Sequence, residues 1–190
     1  MSAISRFRNT DLSKIENGDG SVEIPWESAI GEWYVLHTKS RQEKALAEQL
    51  HALGIHYYLP LVEQVRFFGR RKALVQLPLF PGYVFLKGEL DQAYMADRTE
   101  RVAQIISVRG QEQLEWELRN IWIALSRQGR LDPCPHIVEG MKVEVRAGPF
   151  RGLQGIIESR KGAQLRLILQ IEMLGRAVSL EIDASLLDRV

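Results

Sequence analysis

The chain has 190 residues, of which 45% are hydrophobic and 26% are charged, and its 25 basic and 24 acidic side chains nearly cancel. This length suits one medium domain or two small ones. No run of about 18 apolar residues exists, which excludes a transmembrane helix, and the first thirty residues lack the apolar core of a signal peptide. The one cysteine, Cys134, excludes an internal disulfide and favours a reducing compartment, so we expect a cytoplasmic protein.

The first segments of the chain differ sharply in composition. Residues 1–30 mix Ser, Asn, Asp and Gly without a sustained period, which predicts a flexible N-terminal tail. Residues 33–37 are rich in aromatic and β-branched types and predict a strand. A helix is predicted next, because Ser40 and Glu43 have the spacing of a capping box and Gly54 stands where a helix ends. Its apolar face is formed by leucines at i, i+4 and i+7, namely Leu46, Leu50 and Leu53.

The patterns that follow predict an α+β fold. In chain order they are a strand at 57–67, a hairpin tip at Gly69, strands at 73–77 and 83–86, a helix at 91–98, a strand at 103–108 and a helix over 114–125. With the first two elements, the order β-α-β-β-β-α-β-α is typical of a mixed sandwich in which helices cover an antiparallel sheet. We therefore predict one domain over residues 31–130.

A second, smaller domain is predicted at the C-terminus. Pro133 and Pro135 mark a linker over residues 131–139. Beyond it, residues 142–146 and 165–171 alternate between apolar and polar types, and glycine-containing turns separate the strands. Regular short strands of this kind predict a five-stranded SH3-like barrel over residues 140–190.

Patterns typical of enzymes and metal sites are missing from the sequence. There is no glycine-rich phosphate loop and no dinucleotide fingerprint. The four histidines fall in different predicted segments, and their spacing is not that of a zinc site. We therefore expect no catalytic residues, no cofactor and no metal.

Positive charge is concentrated locally. Seven basic and three acidic side chains lie between Lys39 and Lys72. Arg70, Arg71 and Lys72 follow the predicted hairpin tip, beside two phenylalanines. Such a tip is either a solvated basic turn or a contact for nucleic-acid phosphates.

Two short motifs carry a resemblance to a known family. The first, residues 79–86, reads Leu-Phe-Pro-Gly-Tyr-Val-Phe-Leu and places a rigid corner before a strand. The second, residues 148–157, reads Gly-Pro-Phe-Arg-Gly-Leu-Gln-Gly-Ile-Ile. Together and in this order they resemble the NusG family of transcription elongation factors, over roughly Glu32 to the C-terminus. The resemblance implies an NGN domain followed by a KOW domain.

The resemblance assigns polymerase binding to the first domain. In the family, an apolar depression of the NGN domain docks on the clamp helices of RNA polymerase. The matching residues here are Trp33, Tyr34, Phe80, Pro81, Gly82 and Tyr83. Plain core packing is the alternative for Phe80 and Tyr83, and one of Trp33 and Tyr34 is expected in the core because adjacent strand residues point oppositely.

Further roles follow from the same resemblance. DNA near the transcription bubble would be contacted by Lys39, Arg41, Arg70, Arg71 and Lys72. In the KOW domain, Gly155 matches the structural glycine of the motif. A second partner, Rho or a small-subunit ribosomal protein, would be bound by Phe150, Leu174 and Arg176, although the family usually has Phe where this chain has Leu174.

The function implied is that of a monomeric NusG-type factor that binds RNA polymerase and modulates pausing, termination or antitermination, without a membrane partner. The alternative is a KOW-containing RNA-binding or ribosome-associated protein. Within the family, a general factor and a specialised RfaH-like paralogue are both open.

Overall fold

The computed structural model describes residues 24–69, 71–127, 131–134, 140–158 and 164–190, and it divides the chain into two compact units, Met1–Gln111 and Glu112–Val190. Residues 1–23 of the predicted tail and Arg70 at the hairpin tip lie outside the described residues. The first unit contains β1 (Glu32–Thr38), α1 (Glu43–Ala52), β2 (Tyr57–Tyr58), β3 (Leu61–Phe68), β4 (Arg71–Pro78), β5 (Tyr83–Gly88), α2 (Leu90–Asp97) and β6 (Val102–Ser107).

The remaining elements belong almost entirely to the second unit. They are α3 (Gln111–Ser126), β7 (Asp132–Cys134), β8 (Lys142–Val145), β9 (Gln154–Glu158), β10 (Gln164–Ile171), β11 (Arg176–Asp183) and β12 (Leu187–Arg189). Helices packed with antiparallel sheets confirm the predicted α+β class. We predicted that the first domain extends to residue 130, whereas the first compact unit ends at Gln111, so α3 is grouped with the C-terminal strands. The domain limits themselves stay a prediction.

The first unit is organised around an antiparallel sheet with the strand order β2-β5-β1-β6. Val35 in β1 lies opposite Phe85 in β5 and Ile106 in β6. Because successive side chains of a strand point to opposite faces, Tyr34 and Leu36 share one face and Trp33 and Val35 share the other. Both faces are buried along β1, which explains its nearly continuous apolar sequence.

One face of this sheet packs against the two helices of the first unit. Tyr34 and Leu36 belong to a buried cluster with Leu46 and Leu50 of α1 and Ala93 of α2. The predicted apolar stripe of α1 is thus confirmed for its first two leucines. Leu53 lies beyond the end of the helix and is 46% exposed.

The opposite face holds an aromatic cluster that includes a residue of the predicted tail. Trp26 packs edge-on against Trp33, with ring centroids 5.4 Å apart, and contacts Tyr58 at 4.8 Å. Its side chain is only 2% exposed. The prediction of a flexible tail up to residue 30 is therefore wrong for this segment, because a tryptophan buried among aromatic rings holds it against the sheet.

The start of α1 differs from the prediction. The helix begins at Glu43, and the residue before it, Gln42, makes no side-chain capping bond, so the predicted capping box of Ser40 and Glu43 is wrong. The loop bends at Arg41, whose φ of +59° is left-handed. The Glu43 carboxylate is buried and accepts a hydrogen bond from the backbone N–H of Gly82 at 2.7 Å.

The ends of the helices follow local sequence more closely. Gly54 has a φ of +70°, and the next residue, Ile55, donates its N–H to the carbonyl of Leu50, which is the bond of a Schellman motif. The predicted stop of α1 is confirmed. At α2, a capping box that the sequence analysis missed joins Glu89 and Gln92.

The predicted strand over residues 57–67 is divided in the structure. Its first part, β2, pairs with β5, and its second part, β3, pairs with β4 in a separate hairpin. Pro60 stands at the break and has no N–H to continue a ladder, although its carbonyl accepts a bond from the N–H of Leu79. The hairpin turns at Gly69, as predicted, with a φ of +63°.

The second unit contains an antiparallel sheet with the strand order β12-β8-β9-β10-β11-β7. Strands β8 and β10 confirm the two alternating patterns. Part of the predicted linker is strand rather than coil, because β7 pairs with β11 and Pro133 lies opposite Val178. Proline is tolerated there because β7 is an edge strand.

No helix among the described residues is long and apolar enough to cross a membrane.

We predict that Glu43→Ala lowers the free energy of unfolding by about 1–3 kcal/mol, because the N–H of Gly82 loses its buried acceptor. Glu43→Gln keeps an oxygen at the same position and should recover part of this loss. Urea denaturation of the two variants measures the difference. Equal midpoints for Glu43→Ala and Glu43→Gln would show that the bond to Gly82 contributes nothing.

Candidate functional site

The Pro-Gly corner before β5 is a turn held by its own backbone and by its neighbours. The N–H of Tyr83 donates to the carbonyl of Phe80 at 3.2 Å, and Gly82 has a φ of +89°. Proline second and a left-handed glycine third are the residues of a type II turn. The carbonyl of Gly82 accepts a bond from the N–H of Thr38 at 2.8 Å, which ties the corner to the end of β1.

The corner places two aromatic side chains differently. Phe80 is buried at 3% exposure and meets Phe85 edge-on, with centroids 6.3 Å apart. Tyr83 is half-buried and lies over His37, its partner in the β1–β5 register, with centroids 5.2 Å apart and a ring angle of 30°. Tyr83 and His37 therefore form a ring pair that remains accessible from outside the first unit.

The other predicted pocket residues differ in exposure and in the face of the sheet that they occupy. Trp33 and Tyr34 are both buried, at 1% and 7% exposure, whereas only one of them was expected in the core. They point to opposite faces of the sheet, so they cannot line one surface together. Pro81 is exposed at the corner. His37 was not among the predicted pocket residues. It lies two residues after Val35 on β1, and this spacing places both side chains on the same face of the sheet, which the sequence alone could have shown.

The basic residues predicted to contact nucleic acid fall in two places. Lys39 and Arg41 are exposed in the loop between β1 and α1. This loop is held by Arg101, whose carbonyl accepts the N–H of Lys39 at 2.8 Å and whose side chain donates to Gln42 and to Gln49. Arg101 thus anchors the loop and the first turns of α1 to the start of β6.

The second basic site is the β3–β4 hairpin. Arg71 and Lys72 are exposed at the start of β4. Phe67 pairs with Lys72 in the register and is 72% exposed, which is unusual for a phenylalanine in a strand. At the other end of the hairpin, Lys44 Nζ donates to the carbonyl of Gln76 at 2.5 Å, so α1 holds the hairpin near its base.

The candidate residues of the C-terminal unit lie in two turns. Phe150 is half-buried in the turn before β9, and Leu174 is half-buried in the 3-10 turn after β10, followed by exposed Arg176. Because β9 and β10 are antiparallel, the start of β9 and the end of β10 lie at the same end of the sheet. The structure thus brings these two turns to one end of the second unit.

Gly155 in β9 is a structural residue in this sheet. A methyl group at this position would lie 2.7 Å from the carbonyl oxygen of Ile168 and 3.0 Å from the side chain of Leu167. Backbone cannot move aside easily, so only glycine fits here without a shift. The geometry gives a physical reason for the glycine that the sequence analysis assigned a structural role.

Within the second unit, α3 is joined to β9 by polar contacts of Gln154. Its backbone N–H donates to Asn120 Oδ1 at 2.8 Å, and its side-chain oxygen accepts a bond from Trp116 Nε1 at 3.0 Å. Its amide nitrogen donates to Glu144 at 2.7 Å. Lys142 Nζ lies 5.2 Å from the centre of the Trp116 ring, a cation–π contact.

Glu117 is a buried acidic group in the same unit. Its carboxylate accepts bonds from Gln113 Nε2 at 3.0 Å and from the backbone N–H of Glu172 at 3.1 Å. Burial raises the pKa of Glu117 above its ordinary value, and the two hydrogen bonds oppose that rise.

Among the described residues, no group of three or more His, Cys, Asp or Glu side chains is placed to hold a metal ion.

Comparison with known proteins finds similarity to one family. The model of the NusG family, described as transcription termination factor nusG, matches residues 31–122, from the start of β1 into α3. The protein named transcription termination/antitermination protein NusG in Borreliella burgdorferi is 20% identical over 182 residues, which covers 83% of this chain and 98% of that protein.

The chain is similar to NusG proteins over most of its length.

Other proteins of this name match over a similar range. The protein of the same name in Deinococcus radiodurans is 26% identical over 185 residues, covering 81% of this chain and 96% of its own length. A solved structure of Thermotoga maritima NusG is 22% identical, covers 84% of this chain and 97% of that chain, and has a TM-score of 0.41.

We predict a pH-dependent stability difference between this chain and its Glu117→Gln variant. The raised pKa of Glu117 means that the folded state prefers the protonated carboxyl. Glu117 therefore contributes its full share of folding stability at pH values below about 4.3, its pKa in the unfolded chain. This contribution to stability is lost as the pH rises through the pKa of Glu117 in the folded state. The stability of Glu117→Gln relative to the unchanged chain should increase over that range.

Chemical denaturation at a series of pH values measures this difference. Glu112→Gln, which alters an exposed glutamate on the same helix, is the matched control. A difference between Glu117→Gln and the unchanged chain that does not vary with pH would contradict the prediction.

Proposed function

We propose that this chain is a NusG-family transcription elongation factor that binds RNA polymerase and modulates pausing, termination or antitermination. The observation that carries the proposal is the match to proteins named transcription termination/antitermination protein NusG over 95–98% of their length. Such coverage includes both the unit with the Pro-Gly corner and the C-terminal β unit. We propose that the protein acts in the cytoplasm, at the nucleoid, through its contact with polymerase, and that it acts as a monomer without a catalytic role.

The clamp helices of polymerase are the proposed partner of the surface at Tyr83 and His37. Two half-buried rings over a buried aromatic layer offer an apolar contact that is already rigid before binding. Rigid aromatic anchors usually supply most of the binding energy of an interface. In this proposal Phe80 and Trp33 are buried aromatic residues on the face that carries His37. Tyr34 packs against the helices on the opposite face. Pro81 and Gly82 set the direction of Tyr83.

The C-terminal unit is proposed to recruit a second partner through Phe150, Leu174 and Arg176. Two half-buried apolar side chains beside an exposed cation, in turns at one end of a sheet, suit a small protein contact. Rho and a small-subunit ribosomal protein are the candidate partners. The basic loop at Lys39 and Arg41 and the hairpin tip are proposed to contact DNA near the transcription bubble.

The alternative, a ribosome-associated or RNA-binding KOW protein, is not favoured because the family match covers the strands and helices of the first unit and part of α3, and ends before the C-terminal strands. Affinity purification of the tagged chain separates the two functions. Recovery of RNA polymerase subunits is expected. Recovery of ribosomal proteins without polymerase would overturn the proposed function.

For the polymerase surface, we predict that Tyr83→Ala weakens polymerase binding by roughly 30-fold to 1,000-fold, the effect of losing an anchor worth about 2–4 kcal/mol. Tyr94→Ala, which removes a tyrosine that is 51% exposed on α2, should bind normally. Phe80→Ala is unsuitable for this test, because truncating a buried phenylalanine typically costs about 3–5 kcal/mol of stability.

Surface plasmon resonance with immobilised core polymerase measures the affinities, and thermal melts verify that both variants fold. A folded Tyr83→Ala variant that binds as tightly as Tyr94→Ala would remove Tyr83 from the interface.

For the nucleic-acid contact, we predict that the double variant Arg71→Gln, Lys72→Gln reduces the salt dependence of binding to a polymerase elongation complex. Each lost phosphate contact should reduce the slope of log K against log salt by about one. Binding to core polymerase without nucleic acid should not change. An unchanged slope would leave the hairpin tip as a solvated turn.

A further inference from the structure

The β3–β4 hairpin exposes an apolar surface that the fold of the first unit does not cover. Phe67 is 72% exposed, Leu74 is 62% exposed and Val65 is 46% exposed. Single exposed apolar residues are ordinary, but three on one short hairpin form a patch. Hydration of this patch is unfavourable in the free protein, so a ligand that covers it gains free energy.

The register shows that the three residues share one face with a cation. Val65 lies opposite Leu74, and Phe67 lies opposite Lys72. Residues directly opposite each other in an antiparallel pair point to the same face, as do residues two apart along a strand. Phe67 is therefore the outermost apolar residue of this face, and Lys72 stands beside it.

Cations also occupy the reverse side of the hairpin. Arg71 pairs with Phe68, and Arg66 pairs with Ala73, so both arginines point away from the face that carries Phe67. Both are exposed. In sequence, residues 61–78 contain four basic side chains and one acidic side chain, Glu63. An exposed ring is thus surrounded by positive charge on both sides of a narrow ribbon.

This combination fits one class of ligand better than others. Unpaired nucleic-acid bases have flat apolar faces, and each base is attached to a phosphate, so a ring and a neighbouring cation match one nucleotide. Paired bases in a duplex present their edges and their backbone, and their faces are stacked against one another. The hairpin therefore favours single strands over duplex.

We propose that Phe67 is a stacking platform for an unpaired base of single-stranded nucleic acid, with Lys72 contacting the adjacent phosphate on the same face and Arg71 contacting the phosphate backbone from the reverse face. The proposal rests on the proposed nucleic-acid contact of the hairpin and adds its ligand class and its aromatic residue. Stacking on a ring tolerates every base, so the contact is insensitive to sequence.

Fluorescence anisotropy of the full-length chain tests the proposal, with a labelled single-stranded DNA of mixed sequence and a blunt duplex of the same sequence as probes. Phe67→Ala should weaken single-strand binding by about tenfold and leave duplex binding unchanged, because only stacking is lost. Phe67→Trp should retain binding. Leu74→Ala is the matched control, since it truncates an exposed side chain on the same face that cannot stack.

A second measurement detects stacking of the base directly. With 2-aminopurine in the middle of the single strand, binding of the unchanged chain should quench its fluorescence by stacking, and Phe67→Ala should abolish the quenching. The salt slope should be the same for Phe67→Ala and the unchanged chain, because the phosphate contacts remain.

Four results would distinguish the possibilities. Normal single-strand binding and quenching by Phe67→Ala would overturn the stacking proposal. Equal losses for Phe67→Ala and Leu74→Ala would overturn it in favour of an apolar contact with protein. Self-association of the chain that Phe67→Ala abolishes, without an effect on DNA, would assign the face to a second copy. An unchanged salt slope for the double variant Arg71→Gln, Lys72→Gln, with quenching retained, would instead contradict the proposed phosphate contact and leave the stacking intact.

Discussion

The backbone of Gly82 joins three elements of the first unit and determines where its aromatic residues lie. Its N–H is bound by Glu43 at the start of α1, and its carbonyl is bound by the N–H of Thr38 at the end of β1. The next residue, Tyr83, begins β5. Because the φ of Gly82 is +89°, any other residue would be strained by about 1–2 kcal/mol. The glycine allows the bend, and its two hydrogen bonds fix the bend in space.

A buried layer and an accessible layer of rings follow from this corner. Phe80 turns inward to the aromatic cluster that also contains Trp26, while Tyr83 stays at the surface over His37. The same division between support and contact occurs at the hairpin, where Lys44 holds the base and the side chains of Phe67, Arg71 and Lys72 are exposed. In both places the contact residues are anchored before a partner binds. Less conformational entropy is then lost on binding.

Local sequence patterns predicted most of the fold. The predictions that were wrong concern residues whose partners are far away in the chain. The positions of most strands, the apolar spacing of Leu46 and Leu50 in α1 and the stop at Gly54 depend on neighbours in sequence and were predicted correctly, whereas Leu53 lies beyond the helix. The partner of Glu43 is 39 residues away, so the local spacing from Ser40 suggested a capping box that does not form. The burial of Trp26 likewise depends on strands that come later in the chain. For the candidate site, the corner and the basic tip were visible in sequence, whereas the pairing of His37 with Tyr83 required the register.

Pro133 also affects how the C-terminal sheet meets other molecules. It lies in β7, the edge strand that completes the sheet beside β11. An open edge normally offers a row of N–H and C=O groups to which a foreign strand can add, and this is a common start of aggregation. Proline has no N–H, so a strand approaching β7 meets an interrupted row of donors. Pro133, which marked a linker in the sequence, thus also protects the edge of the sheet against the addition of foreign strands.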